Sequence, residues 1–100
     1  MGYSINHVHI RAQDPHSSAA WYEEFFNAKV ISAREVMPGT ITVSMDAGGP
    51  VRLNISSQPS GSSAETVPAE LNRLGLEHFG FDTNDIEADI QIFRDSGVRI

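Results

Sequence analysis

The sequence predicts an α+β fold of paired β-α-β-β-β modules, the second incomplete in this chain. Three observations carry that expectation. Residues 5–11 alternate side-chain character at the period of a strand with one polar face. One helical segment is then followed by three strand-like runs, separated by Pro and Gly turn signals. Finally, the opening strand, its histidine and its helix cap recur near the C-terminus at a constant offset.

In the segment Ile5 to Arg11, Asn6, Val8 and Ile10 alternate with His7, His9 and Arg11, so the two histidines are expected on one face. Asp14-Pro15 supplies a capping carboxylate followed by proline at the first helical position, where its missing N–H costs nothing. The helix should run to about Phe26 and stop at Asn27, a residue that tolerates left-handed backbone. Ser18, Tyr22 and Phe26 recur at helical spacing, and the Trp21, Tyr22, Phe25 and Phe26 cluster is expected to form helix-on-sheet core. His16 and Glu23-Glu24 are expected at the solvated surface.

Strands are expected at Lys29 to Arg34, Thr40 to Asp46 and Val51 to Ser56, as a meander with turns at Pro38-Gly39 and Gly48-Gly49-Pro50. In the last of them Val51, Leu53 and Ile55 oppose Arg52, Asn54 and Ser56, and the polar set should share a face with His7. The stretch from Gln58 to Gly75 is rich in Ser, Gly and Pro up to Pro68 and reads as a linker with one helical turn at Ala69 to Arg73.

Beyond it, Ile5-Asn6-His7-Val8-His9-Ile10 lines up with Leu76-Glu77-His78-Phe79-Gly80-Phe81, and the same offset brings Asp14 onto Asp85. With one residue removed from the longer first helix, Asn27 matches Gly97 and Lys29-Val30 matches Arg99-Ile100. The expected organisation is therefore a single domain, with module one at about 4–57, a linker at about 58–75 and a partial module two at 76–100. The second module breaks off as its second strand begins, so the chain is expected to be incomplete as a domain.

A length of 100 residues with 40% hydrophobic content suits one modest core. Cysteine is absent, so any metal must use His, carboxylate or amide ligands. A net charge of −6, with the seven basic residues scattered, argues against nucleic acid as a partner. No segment approaches the roughly 20 apolar residues of a membrane span, and no basic leader precedes an apolar run. A cytoplasmic location is the default expectation.

His7 and His78 occupy equivalent places on related strands. A lone histidine on a half-buried strand is first read as a polar surface residue, but the repeat-related pairing reverses that preference. If the modules pack about an approximate two-fold axis, the two imidazoles converge on a divalent ion such as Fe, Mn, Zn, Ni or Co. Two His and one carboxylate leave coordination positions open for a substrate.

Ile5-Asn6-His7-Val8-His9-Ile10, the helix from Asp14-Pro15 to Tyr22, and Gly75-Leu76-Glu77-His78-Phe79-Gly80-Phe81 resemble the glyoxalase/bleomycin resistance/extradiol dioxygenase (vicinal oxygen chelate) superfamily over nearly the whole chain. The resemblance implies that the first strand of each module gives a metal ligand, here His7 and His78. It implies further ligands, commonly Glu or Gln, from the last strand of a module. Asn54 holds the matching position in module one; it is uncharged and one methylene shorter, a poor transition-metal ligand better suited to touching substrate. Lyases and epimerases of the family tend to use four protein ligands, whereas extradiol dioxygenases and fosfomycin-resistance enzymes resemble a two-His-one-Glu pattern, which fits this sequence better. The third ligand would then lie on a strand absent from this chain.

His9 is the candidate catalytic group, as a general base or as a hydrogen-bond partner of a metal-bound substrate. Arg52 is placed to bind a carboxylate or phosphate substituent. The resemblance implies a divalent-metal-dependent enzyme acting on a small oxygen-chelating substrate, by lyase, isomerase, transferase or ring-cleaving dioxygenase chemistry, and association as a homodimer. The alternative from another class is a metal-free binding protein of the same fold, such as an antibiotic-sequestering one.

Overall fold

The computed structural model describes residues 2–62 and 70–100. Residues 63–69, which include the middle of the expected linker and the start of the turn at Ala69, lie outside the described residues. The elements are β1 (His7–Arg11), α1 (Pro15–Phe26), β2 (Lys29–Met37), β3 (Thr40–Asp46), β4 (Arg52–Ser56) and α2 (Ile86–Asp95). They fall into two compact units, Met1–Thr66 and Val67–Ile100.

The first unit is a four-stranded mixed sheet in the order β1-β4-β3-β2. β2, β3 and β4 form the expected antiparallel meander, and β1 pairs in parallel with β4. Registers align Val8, Leu53, Met45 and Val30 in one row, and Ile10, Ile55, Val43 and Ala33 in another. Cross-strand partners share a face, so these rows form one apolar surface. α1 lies over its β2, β3 and β4 portions. Val43, Met45, Leu53 and Ile55 are buried there, whereas Val8 and Ile10, on the edge strand, are half-buried.

The helix approaches the sheet through a small residue. Pro15 and Ala19 are its buried positions, while Tyr22, Phe25 and Phe26 are half-buried and Trp21 is exposed. The expectation that the aromatics make the helix-on-sheet core is thus corrected: Ala19 lets the backbone come close, and the rings pack on one another along the flank. Trp21 meets Tyr22 edge-on at 5.1 Å between centroids and Phe25 at 5.2 Å.

Both ends of α1 are set by local chemistry. Asp14 accepts from the backbone N–H groups of His16 (3.1 Å) and Ser17 (3.2 Å) and from the Ser17 hydroxyl (2.9 Å). Asn27 turns left-handed, with φ 53°, and Ala28 N–H reaches back to the Tyr22 carbonyl. Gly39 takes φ 80° in the β2–β3 turn, and its N–H donates to Glu35 Oε1 at 2.8 Å.

The second unit repeats part of this plan. Asp85 caps α2 by accepting from Ala88 N–H at 3.1 Å. The helix closes in a Schellman arrangement, with Val98 N–H to Phe93 O at 2.8 Å, Gly97 N–H to Arg94 O at 3.1 Å, and Gly97 at φ 81°. Residues 76–81, expected as a strand matching β1, carry no strand ladder. The reason is physical: β1 is held by β4, and among the described residues no strand pairs with 76–81.

The hydrogen bonds from Ser17 hold the Asp14 carboxyl below its ordinary value near 3.8. A depressed carboxyl contributes stability above its unfolded pKa and loses it as pH falls through the lower, folded value. The stability difference between the native chain and Asp14→Ala, from urea unfolding, should therefore be constant near neutrality and shrink below about pH 4.

Candidate functional site

The face of the sheet opposite α1 is polar in every row. His7, Arg52, Asp46 and Lys29 align in register; so do His9, Asn54, Ser44 and Ser32, and Arg11, Ser56, Thr42 and Arg34. Four of the residues singled out from sequence, His7, His9, Arg52 and Asn54, are thereby brought onto one surface by the in-phase alternation of β1 and β4. His78 belongs to the second unit, ahead of α2.

His7 is exposed, and its Nδ1 donates to Asn6 Oδ1 at 2.9 Å. Its Nε2 is left with the lone pair. His78, also exposed, repeats the arrangement, Nδ1 donating to Glu77 Oε1 at 2.9 Å. A contact this exposed adds little to stability; its effect is to choose the tautomer and orient the ring. Glu77 aligns with Asn6, so the orienting oxygen recurs with the histidine.

His9 lies differently. Its Nε2 is 2.6 Å from Ser56 Oγ, which is 2.6 Å from Thr42 Oγ1. Ser56 is buried at 1% exposure, so a short hydrogen-bonded chain runs from β1 through β4 into β3. Sequence reasoning placed Ser56 on the polar face but did not link it to His9; the only signal was the serine's place two residues beyond Asn54. Asn54 is half-buried between His9 and Ser44. Arg52 is exposed, and among the described residues its guanidinium has no partner. Arg11 donates from Nη1 to the Ser57 carbonyl at 2.7 Å.

A groove of about 580 Å³ opens elsewhere, between the Ala12–Asp14 connection and the Ser17, Ser18, Trp21 and Tyr22 side of α1. It includes none of His7, His9, Arg52 and Asn54. Burial beside it pushes the Tyr22 phenol up from its ordinary value. Among the described residues, no three His, Asp or Glu side chains gather to hold a metal ion.

The sequence profile of the Glyoxalase/Bleomycin resistance protein/Dioxygenase superfamily matches residues 4–100. Among solved structures, a glyoxalase family protein from Enterococcus faecalis is similar at 24% identity and TM-score 0.68, over 94% of this chain and 72% of that one. Glyoxalase I of Leishmania major, described as trypanothione-dependent, matches at 17% identity and TM-score 0.69, over 96% and 68%. The oxidase ChaP-H2 matches at 18% identity and TM-score 0.64, over 97% and 65%. At these identities the solved structures share the fold. No curated protein gives a significant sequence match. The chain belongs to the superfamily whose profile spans it.

The Ser56→Ala variant removes the hydroxyl between His9 and Thr42. It should lower unfolding stability by about 1 kcal/mol with an unchanged m-value in urea, the loss of one hydrogen-bonded hydroxyl.

Proposed function

We propose that this member of the glyoxalase/bleomycin resistance/dioxygenase superfamily is a cytoplasmic, divalent-metal-dependent enzyme, acting on a small molecule that chelates the ion through adjacent oxygens. The metal would be Fe, Mn, Zn, Ni or Co, and the reaction a lyase, isomerase, transferase or ring-cleaving dioxygenase step. One observation carries the reading. In each unit a histidine at the equivalent sequence position gives its Nδ1–H to the side-chain oxygen of the preceding residue, which reserves Nε2 for an outside partner. A metal-bound imidazole almost always has its other nitrogen tied in this way, so the donor set suits the ion.

In this reading His7 and His78 hold the ion, module one is 4–57, and module two begins at 76 after the 58–75 linker. Bound there, a divalent ion supplies Lewis-acid polarisation of the substrate's oxygens. Arg52 meets a carboxylate or phosphate substituent through its guanidinium, which has no partner among the described residues. Asn54 orients the substrate from the middle of the polar face, and His9 is the catalytic group beside it. No described helix is long and apolar enough to cross a membrane.

A second reading, a metal-free protein that binds or sequesters a small molecule on the same face, is favoured by the absence of a three-residue ligand cluster among the described residues. Elemental analysis and calorimetric zinc titration separate the two. The native chain and His9→Ala should bind zinc stoichiometrically, while His7→Ala and His78→Ala should each lose that binding without a change in far-ultraviolet circular dichroism. Retention of full zinc affinity by both of the latter variants rejects the metal reading.

We propose further that the chain associates as a homodimer. The edge strand β2 leaves Val30, Ile31, Val36 and Met37 exposed, a length of apolar strand that favours pairing with another chain. Light scattering in the tens of micromolar should give twice the chain mass; a monomer mass contradicts the proposal.

A further inference from the structure

The polar face holds a second imidazole whose surroundings differ from those of His7, and the difference decides what it offers a ligand. His9 Nε2, Ser56 Oγ and Thr42 Oγ1 form a chain with both links at 2.6 Å. Ser56 cannot accept from both neighbours without leaving its own buried proton unmet, so two proton arrangements are left. In the first, Nε2–H donates to Ser56, Ser56 donates to Thr42, and the Thr42 proton needs a further acceptor. In the second, Thr42 donates to Ser56, Ser56 donates to the Nε2 lone pair, and every proton in the chain has an acceptor. Among the described residues Thr42 Oγ1 has no acceptor other than Ser56. An unmet donor on a half-buried strand costs more than a spare hydroxyl lone pair, so the second arrangement is favoured. It also aligns the two hydroxyl dipoles, which strengthens both links.

We infer that Ser56 and Thr42 are positioning residues that fix His9 in its Nδ1–H form and make it a hydrogen-bond donor, not a base. Its Nδ1 has no partner among the described residues, and the residue is exposed. The group presented to a ligand is therefore an N–H, and the matching ligand atom is an acceptor oxygen, such as a carbonyl, carboxylate or enolate. His7 presents the reverse. Its Nδ1–H is spent on Asn6, and its lone pair faces outward. One strand thus carries an electron-pair donor and, two residues on, a proton donor on the same face, the complement expected for a substrate with adjacent oxygens. The inference rests on the polar face being the ligand surface, as proposed above, but the state of His9 does not depend on a bound metal.

Long-range ¹H–¹⁵N spectra of the imidazoles in the metal-free 100-residue chain test it at about pH 8, where an unperturbed histidine is neutral. Free imidazole side chains in water favour the Nε2–H form, so the expected Nδ1–H pattern at His9 is diagnostic. In Ser56→Ala that pattern should be lost in favour of Nε2–H, with the His7 and His78 signals unmoved. Thr42→Val, which keeps the shape of the strand, should shift His9 in the same direction, and Ser56→Thr should restore the native pattern. A native His9 in the Nε2–H form, or a pattern indifferent to Ser56→Ala and Thr42→Val, overturns the inference. If His9 shows the Nδ1–H pattern in a chain that fails to bind zinc, the metal reading falls while the assignment of His9 as a donor stands.

Discussion

The parallel ladder between β1 and β4 couples two alternations that the rest of the first unit depends on. Val8 pairs with Leu53 and Ile10 with Ile55, so both strands turn the same phase toward α1. The same register puts His7 beside Arg52 and His9 beside Asn54 on the other side. A slip of one residue in β1 would carry the histidines into the apolar layer and turn Val8 and Ile10 onto the polar face, and the same slip in β4 would expose the buried Leu53 and Ile55. Hydrophobic packing on one face thereby fixes the composition of the other. The helix contributes by shape as well as by apolar area, since Ala19 allows close approach and leaves the aromatic rings to cover the margin.

What was legible in the sequence was what short-range chemistry decides. Asp14, Pro15, Asn27, Asp85 and Gly97 mark helix ends through interactions that span a few residues, and each lies where those interactions place it. The faces of β1 and β4 followed from a period of two. Residues 76–81 were misjudged because alternation describes a strand's side chains and says nothing about whether a partner supplies the ladder. The aromatic cluster is less buried than its volume suggests because Ala19 and Pro15, not the rings, face the sheet most closely. The link from His9 through Ser56 to Thr42 runs diagonally across three strands, so it depends on a register that loop lengths and packing set together. Asn6 and Glu77 stood in aligned positions, yet alternation assigns a preceding residue to the opposite face and hides its reach to the ring beside it.

His7 and His9 sit on the polar face of the first unit and His78 lies in the second, and what each ring offers depends on which nitrogen a neighbour holds. Neutral histidine is both donor and acceptor, and the protein chooses between them by occupying one nitrogen. Asn6 and Glu77 occupy Nδ1 of His7 and His78, and Ser56 occupies Nε2 of His9. The contacts of His7 and His78 are worth little as stabilising interactions at exposed positions, so their value lies in orientation. Arg52 adds the one formal positive charge beside His7 in β4, and among the described residues its guanidinium has no partner. The chain belongs to a superfamily whose profile spans it, and the proposed function assigns metal chemistry to the nitrogens that these contacts leave open.

The central claim is that the Nε2 atoms of His7 and His78 hold one ion. X-ray absorption at the zinc edge of the zinc-loaded 100-residue chain measures this most directly. The account predicts two imidazole nitrogens at about 2.0–2.1 Å with oxygen filling the remaining positions. It also predicts that His7→Ala and His78→Ala each reduce the imidazole count by one in whatever ion is retained. A shell of oxygen alone, or an imidazole count unaffected by either substitution, would contradict it.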